Sequence, residues 1–461
     1  MFLRKYFILF IFAFFALRLF AYFFGPETPL QVQSIINTIV SLAILISAVY
    51  LLFKKNVWGW YMIVLEIILG GAGGYLSIGS IALRTCLLFA SITIFDIRKL
   101  QAHQYLKKLR ENLPVTIILG LLYVIVGISA LRGYYLGHDP RLIFSDSLPY
   151  LFFLYYYPLR ELLIQKNFIN IAFNALVASV IGNAIFILFT ITAYSSEMFI
   201  IGDSYYHWYR DVALGKITEV AMGFYRLVLN EQLLLTPIII FFLYRLINKK
   251  GEKWLNIICT ICLLFTLGLN LTRIYMVALF VGTIFLCSYN NWKRWLTYSL
   301  GATLIFILLF ISTHLITTRG QSIGLEIFGL RLQSIIKPQI EDSSLSRMLL
   351  LPKIWESIKK QPIIGNGLAD SISVYSPIFK KEISTTNFDW GYLELWDELG
   401  IIGLLVWLSL VAFSLKRLYQ SKIANKEIYA SMIVSLLIIN LTSPALFHVM
   451  GVVFVVSVLI F

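Results

Sequence analysis

Charge is scarce in this sequence. Asp, Glu, Lys and Arg make up only 13% of the 461 residues, against 59% hydrophobic ones, and mean hydropathy is +0.82. So few charges cannot coat a soluble globular domain, which excludes that class. Acids are rarer than bases, giving a formal net charge of +14. In a membrane chain this excess is first a question of which side the cations occupy, not of nucleic acid. Cysteine is nearly absent. Cys86, Cys259, Cys262 and Cys287 all fall in apolar runs. No disulfide is therefore available to the polar loops, and the Cys259/Cys262 pair has no second pair to complete a zinc site, so these read as packing thiols. A small-residue cleavage site is also missing after "MFLRKYFILFIFAFFALRLFAYFF", so the opening reads as a retained span rather than a signal peptide. No clear internal repeat is present.

What the chain does have is long apolar runs. A helix needs roughly 20 apolar residues to cross the hydrocarbon. Such runs lie near 6–24, 31–53, 57–77, 80–97, 114–131, 147–164, 168–194, 227–247, 254–271, 274–290, 295–313, 391–415, 428–443 and 446–461. The expected fold is an all-α polytopic membrane protein of about fourteen transmembrane helices. Residues 1–313 form an N-terminal bundle of about eleven of them, 314–390 one large polar loop with short helices, and 391–461 the C-terminal helices. The short links "KKN", "RKLQAHQYLKKLREN", "QKN", "NKKGEK", "NNWKR" and "KRLYQSKIANKE" are rich in lysine and all fall on the side of Arg4 and Lys5, which marks that side as cytoplasmic.

The opposite face holds the long polar segments 132–146, 195–225 and 314–390. Its bases are arginines: Arg132, Arg141, Arg210, Arg226, Arg273, Arg319, Arg331 and Arg347. Arginine outside runs against the charge rule, but its planar fork suits phosphate and carboxylate, so an anionic ligand at this face would explain it. In the large loop, "SSLSRMLLLPKIWESIKKQPIIGNG" places Leu350, Leu351, Ile354, Trp355 and Ile358 at helical spacing, with Pro362, Gly365 and Gly367 as the stop. Ser343, Ser344 and Ser346 are cap candidates, and Arg347 would sit in the first turn. It is either a surface base or a ligand for an anion at the helix N-terminus.

Arg273, at a tight turn between spans, either snorkels or binds an anion. Arg226 and Glu231 could pair with each other or serve a site. In "STTNFDWGYLELWDELGIIGLL", Asp389 precedes a span and could cap it or act as a base. Glu394, Asp397 and Glu398 lie deeper, where a carboxylate needs a partner or a cavity. His138, His207, His314 and His448 fall on the outer side. "GGAGG", Gly70 to Gly74, reads as a broken or a closely packed helix.

The run from "SSLSRMLLLPKIWESIKKQPIIGNGLAD" to "DWGYLELWDELGIIGLL" resembles the O-antigen ligase and polymerase superfamily, and most of all its Wzy-type repeat-unit polymerases. Members often carry His-Asn where this chain has Asp389 and Trp390, a departure that suits polymerase-like relatives. The resemblance implies a metal-independent membrane glycosyltransferase of GT-C-like type, needing no cofactor. It would act in polysaccharide and lipopolysaccharide biosynthesis at the periplasmic face of the bacterial inner membrane, with its N-terminus in the cytoplasm. Its donor would be a glycan on undecaprenyl diphosphate and its acceptor a lipid-linked repeat unit, with membrane lipid around it and a chain-length regulator as protein partner. Asp389 and Arg347 would be catalytic, while Arg210, Arg226, Arg273 and Arg331 would bind diphosphate or glycan. Tyr205, Tyr206, Trp208 and Tyr209 could stack on sugars. A ligase with a lipid A core acceptor and a lipid-linked oligosaccharide flippase are the alternatives.

Overall fold

The computed structural model describes residues 4–25, 31–101, 112–163, 165–196, 203–221, 223–287, 291–337, 342–376, 381–386, 388–421 and 425–460. Among them, eight helices are long and apolar enough to cross a membrane: Lys5–Phe24, Ser34–Phe53, Leu113–Tyr135, Asn167–Ser195, Asn230–Ile247, Lys253–Asn270, Trp292–Thr317 and Gly391–Gln420. Trp58–Leu69, Arg273–Cys287 and Val449–Leu459 are shorter apolar helices. The chain is thus a mostly helical, multi-pass membrane protein. Other expected spans are interrupted. The stretch around 147–164 breaks into helix Pro140–Leu151, a single tight turn Phe152–Tyr155 and helix Tyr156–Leu162. Pro149 and Pro158 lie in this stretch, and proline removes a helical donor wherever it falls inside a helix.

Among the described residues, three two-stranded antiparallel hairpins depart from the all-helical expectation: Ser77–Ile78 with Ile81–Ala82, Lys216–Ala221 with Phe224–Val228, and Ile372–Ser376 with Lys381–Thr385. Each lies in a segment too polar or too rich in glycine to continue a spanning helix, and hairpin pairing satisfies its backbone locally.

The chain forms two compact units, Met1–Arg98 with Pro158–Leu325, and Lys99–Tyr157 with Glu326–Phe461. In the first, helix Lys166–Ser195 packs on Arg4–Phe24, Trp58–Leu69 and Lys253–Asn270. "GGAGG" is where Trp58–Leu69 stops. Gly71 and Gly73 take positive φ, and the guanidinium of Arg84 occupies the space a Cβ at Gly73 would need. Arg84 Nη2 donates to the Gly71 carbonyl (2.9 Å) and Nε to Glu66 Oε1 (3.3 Å), so a cation covers the freed carbonyls of the helix end.

In the second unit, helix Asp342–Lys360 lays Ile354 and Ile358 against Ile372 and Phe388, with Leu350, Val374, Trp390, Leu393 and Trp396 around them. Burying each large apolar side chain contributes about 1.5–3 kcal/mol, enough to seat this helix and its hairpin on the spanning helix Gly391–Gln420. The spanning helix is itself broken at Gly400 (φ 71°, ψ 178°). An unbroken helix would bond Ile401 N–H to the Asp397 carbonyl and Ile402 N–H to that of Glu398. Instead, those carbonyls accept from Asn366 N–H (2.6 Å) and Gly367 N–H (3.2 Å), while Ile401 and Ile402 donate to Pro362 (3.0 Å) and Ile363 (3.4 Å). Two helical bonds are exchanged for four to the segment 362–367, which keeps these four groups of the spanning helix paired.

Candidate functional site

The residues that open the spanning helix split into two kinds. Glu394, Asp397 and Glu398 are engaged inward. Glu394 Oε2 accepts from Phe388 N–H (3.2 Å), Asp397 Oδ1 from the Asn366 side-chain amide (2.8 Å), and Glu398 Oε1 from Ala369 N–H (3.1 Å). Ser129 Oγ donates to the Glu398 carbonyl (2.7 Å) from helix Leu113–Tyr135. These carboxylates therefore clamp loop 362–370 and the chain before the helix, which is the partner a deep acid requires. The same loop is held from below. Asn366 donates to the Ser357 carbonyl (3.0 Å), Ser357 Oγ to Asp370 (2.9 Å), and the His138 ring meets the Leu368 carbonyl (2.8 Å).

Asp389 is the other kind. It does not cap the helix: Trp390 takes the cap position and makes no side-chain bond there. The Asp389 backbone is left-handed (φ 56°), a conformation short polar residues tolerate best. Its carboxylate faces outward and meets Arg347 Nε at 3.3 Å, with the two side chains 56% and 31% exposed. Two features impose this geometry. Phe388, fully buried in the loop core, fixes the preceding residue, and Glu394 holds its N–H. The proposed catalytic pair is thus brought together across the loop helix and the mouth of the spanning helix. Arg347 lies beyond the first turn, because the helix begins at Asp342 rather than at the serines. It therefore does not belong to a helix N-terminal anion site. The side chains of Ser343, Ser344, Ser346 and Arg331 lie outside the described residues.

Near this mouth, on helix Pro140–Leu151, burial pushes the Asp146 carboxyl up to about 6. Desolvation disfavours its ionised form, a burial not legible in the sequence because Asp146 stands in an ordinary polar loop pattern.

In the first unit, Arg226 turns away from Glu231. Its Nε donates to the Asn270 carbonyl (2.8 Å) and Nη2 to Thr272 Oγ1 (3.0 Å). This ties Arg226 to the turn that carries Arg273, where Leu271 is left-handed, so these two arginines share one turn. Glu231 pairs instead with the buried Arg18 of the first helix. The local pair expected between Arg226 and Glu231 fails because strand Phe224–Val228 directs Arg226 toward helix Lys253–Asn270, while Glu231 follows in a tight helical turn. Arg210 is bound by its neighbour Asp211 (2.6 Å) and by the His207 ring (3.2 Å). Trp208 and Tyr209 are buried against Tyr75 and Phe186, so they cannot stack on a sugar, whereas Tyr206 remains exposed. His314 packs between Phe224 and Phe310, and His448 accepts from Met450 N–H as a helix cap. Arg18, Glu66 and Arg84 escaped the sequence reading because each sits singly within an apolar run and its partner is distant in sequence. Their signal was the cost of a lone charge at that depth.

No curated protein and no solved structure matches the chain. Residues 258–408 match the Wzy_C family model, described as O-antigen ligase, a stretch that takes in Arg273, Arg331, Arg347 and Asp389 and leaves out Arg210 and Arg226. The match covers only that stretch, and it supports the resemblance of this part of the chain to the O-antigen ligase and polymerase superfamily.

Proposed function

We propose that the protein is a polysaccharide repeat-unit polymerase. It transfers a growing glycan from undecaprenyl diphosphate to a lipid-linked repeat unit at the periplasmic face of the inner membrane. The observation that carries this reading is the Arg347–Asp389 pair, held at 3.3 Å within the family-matched stretch and open to solvent at the mouth of a spanning helix. Asp389 accepts the proton of the acceptor hydroxyl as its oxygen bonds to the anomeric carbon. The bond from that carbon to the diphosphate breaks, and the electron pair leaves with the diphosphate. Arg347, at 3.3 Å, orients the Asp389 carboxylate before attack. Arg273 and Arg226, joined at one turn, are the proposed cations for the leaving diphosphate, with Arg210 and Arg331 as further contacts. A polyprenyl carrier needs a hydrocarbon route to such cations, and a multi-pass helical protein supplies one. A chain-length regulator is the partner expected of this activity.

Complementation of a polymerase-deficient strain that makes the cognate repeat unit tests the proposal. A restored glycan ladder supports polymerisation. Single repeat units joined to lipid A core, with no ladder, would indicate the ligase reading, and failure of repeat units to reach the outer face without the protein would indicate a flippase.

A further inference from the structure

Helix Asp342–Lys360 has more apolar surface than its own core covers. Ile354 and Ile358 face the core, yet Met348, Leu351 and Trp355 form a second stripe at i, i+3 and i+7 that points outward. The stripe continues past the helix into Ile363 and Ile364, and these five side chains are between 38% and 59% exposed. Such a patch on one element is not the scatter of single exposed residues that any surface carries.

We infer that this stripe rests in an anionic lipid surface, with Met348, Leu351, Trp355, Ile363 and Ile364 in the boundary between headgroups and acyl chains. Two observations identify lipid as the occupant. The first is continuity: Ile363 is bonded through its carbonyl to Ile402 of the spanning helix, and Ile402 and Leu405 are themselves outward-facing, so one exposed apolar band runs from the spanning helix into the loop. Trp355 meets Trp396 edge to face (5.6 Å), and Trp396 Nε1 donates to the Pro362 carbonyl (2.9 Å), which places two indoles at the junction where interfacial aromatics gather. The second is charge. Lys359 and Lys360 end the helix, with the Lys359 ammonium 6.0 Å from the Trp355 ring, while the acid Glu356 is taken up by Lys353 (2.8 Å). An apolar stripe ending in lysines matches anionic headgroups. The consequence reaches Arg347, which stands on the same helix and would be held at a fixed depth.

The test uses the full chain in nanodiscs of phosphatidylglycerol brominated near the top of the acyl chains. The chain has ten tryptophans, so the emission of Trp355 is taken as the difference between wild type and Trp355→Phe. The difference emission is expected to be quenched by bromine and shielded from aqueous iodide. Quenching by iodide alone would mean that the stripe faces water, and shielding from both would mean that a second copy or another protein covers it. Either result overturns the inference. Ile363→Cys carrying a polarity-sensitive dye, read against the wild-type labelling background, gives the same answer without altering Trp355; an apolar spectrum supports lipid seating and an aqueous one refutes it. Lys359→Glu with Lys360→Glu is expected to lose most of the bromine quenching in phosphatidylglycerol. Retention of full quenching would overturn the part played by charge.

Discussion

The Arg347–Asp389 pair is open to water, and exposed pairs of this kind contribute only about 0–1 kcal/mol to stability. Stability and activity should therefore separate at these residues. Asp389→Asn and Arg347→Ala are expected to keep the wild-type melting temperature in detergent to within a few degrees while losing the glycan ladder. A large fall in melting temperature would instead mark the pair as structural. Glu394 acts through its neighbour. Glu394→Gln can still accept from Phe388 N–H and should keep activity, whereas Glu394→Leu frees the chain before Asp389 and should lower turnover more than substrate affinity. Asp146 carries a pH signature. Its carboxyl is pushed up to about 6 in the folded protein, above the ordinary unfolded value, so the folded state holds the extra proton. Stability is therefore fullest below the unfolded value and falls as pH rises through about 6. Asp146→Asn should flatten this fall in a series of thermal unfolding curves, and an unchanged slope would assign it to another group.

At the scale of elements, the exchange of hydrogen bonds at Gly400 is what fixes loop 362–370 to the spanning helix. A Cβ at Gly400 would lie 2.1 Å from the Ile363 carbonyl oxygen, and one at Gly365 would lie 2.4 Å from that of Glu398. Backbone cannot yield as a side-chain tip can, so Gly400→Ala and Gly365→Ala should each remove most folded protein from membranes. Gly79→Ala, at a turn with positive φ but nothing within 4 Å, should cost only about 1 kcal/mol by the backbone preference alone. Quantifying monodisperse protein after solubilisation checks all three. This element was legible in the sequence only in part. The spacing of Ile354 and Ile358 gave the loop helix, and the charge step at Trp390 gave the start of the span. The break did not show, because it depends on pairing between residues 362–367 and 397–402, and no local period reports such pairing. For the same reason the acids at the helix mouth read only as carboxylates in need of a partner or a cavity, and the partners of Asp397 and Glu398 are loop atoms.

At the scale of the whole molecule, a chain poor in charge pairs the buried charges of its first unit. Arg84 with Glu66, and Arg18 with Glu231, are almost wholly buried in the first unit, and each joins residues far apart in sequence. Removing one member leaves an uncompensated charge, which costs about 3–5 kcal/mol. Arg84→Ala should therefore lower the melting temperature sharply, and the double variant with Glu66→Leu should recover part of the loss; a double variant no better than the single would show that Arg84 stabilises chiefly through the Gly70 and Gly71 carbonyls. Both arginines lie outside the family-matched stretch, whereas Arg347 and Asp389 lie within it. The division proposed is that buried pairs hold the fold and exposed ones do chemistry. The most direct test of that division is release of undecaprenyl diphosphate from a lipid-linked repeat unit by purified protein in nanodiscs, comparing wild type with Asp389→Asn at equal folded concentration. Release and glycan elongation are expected of wild type and neither of the variant. Equal release by both would contradict that division.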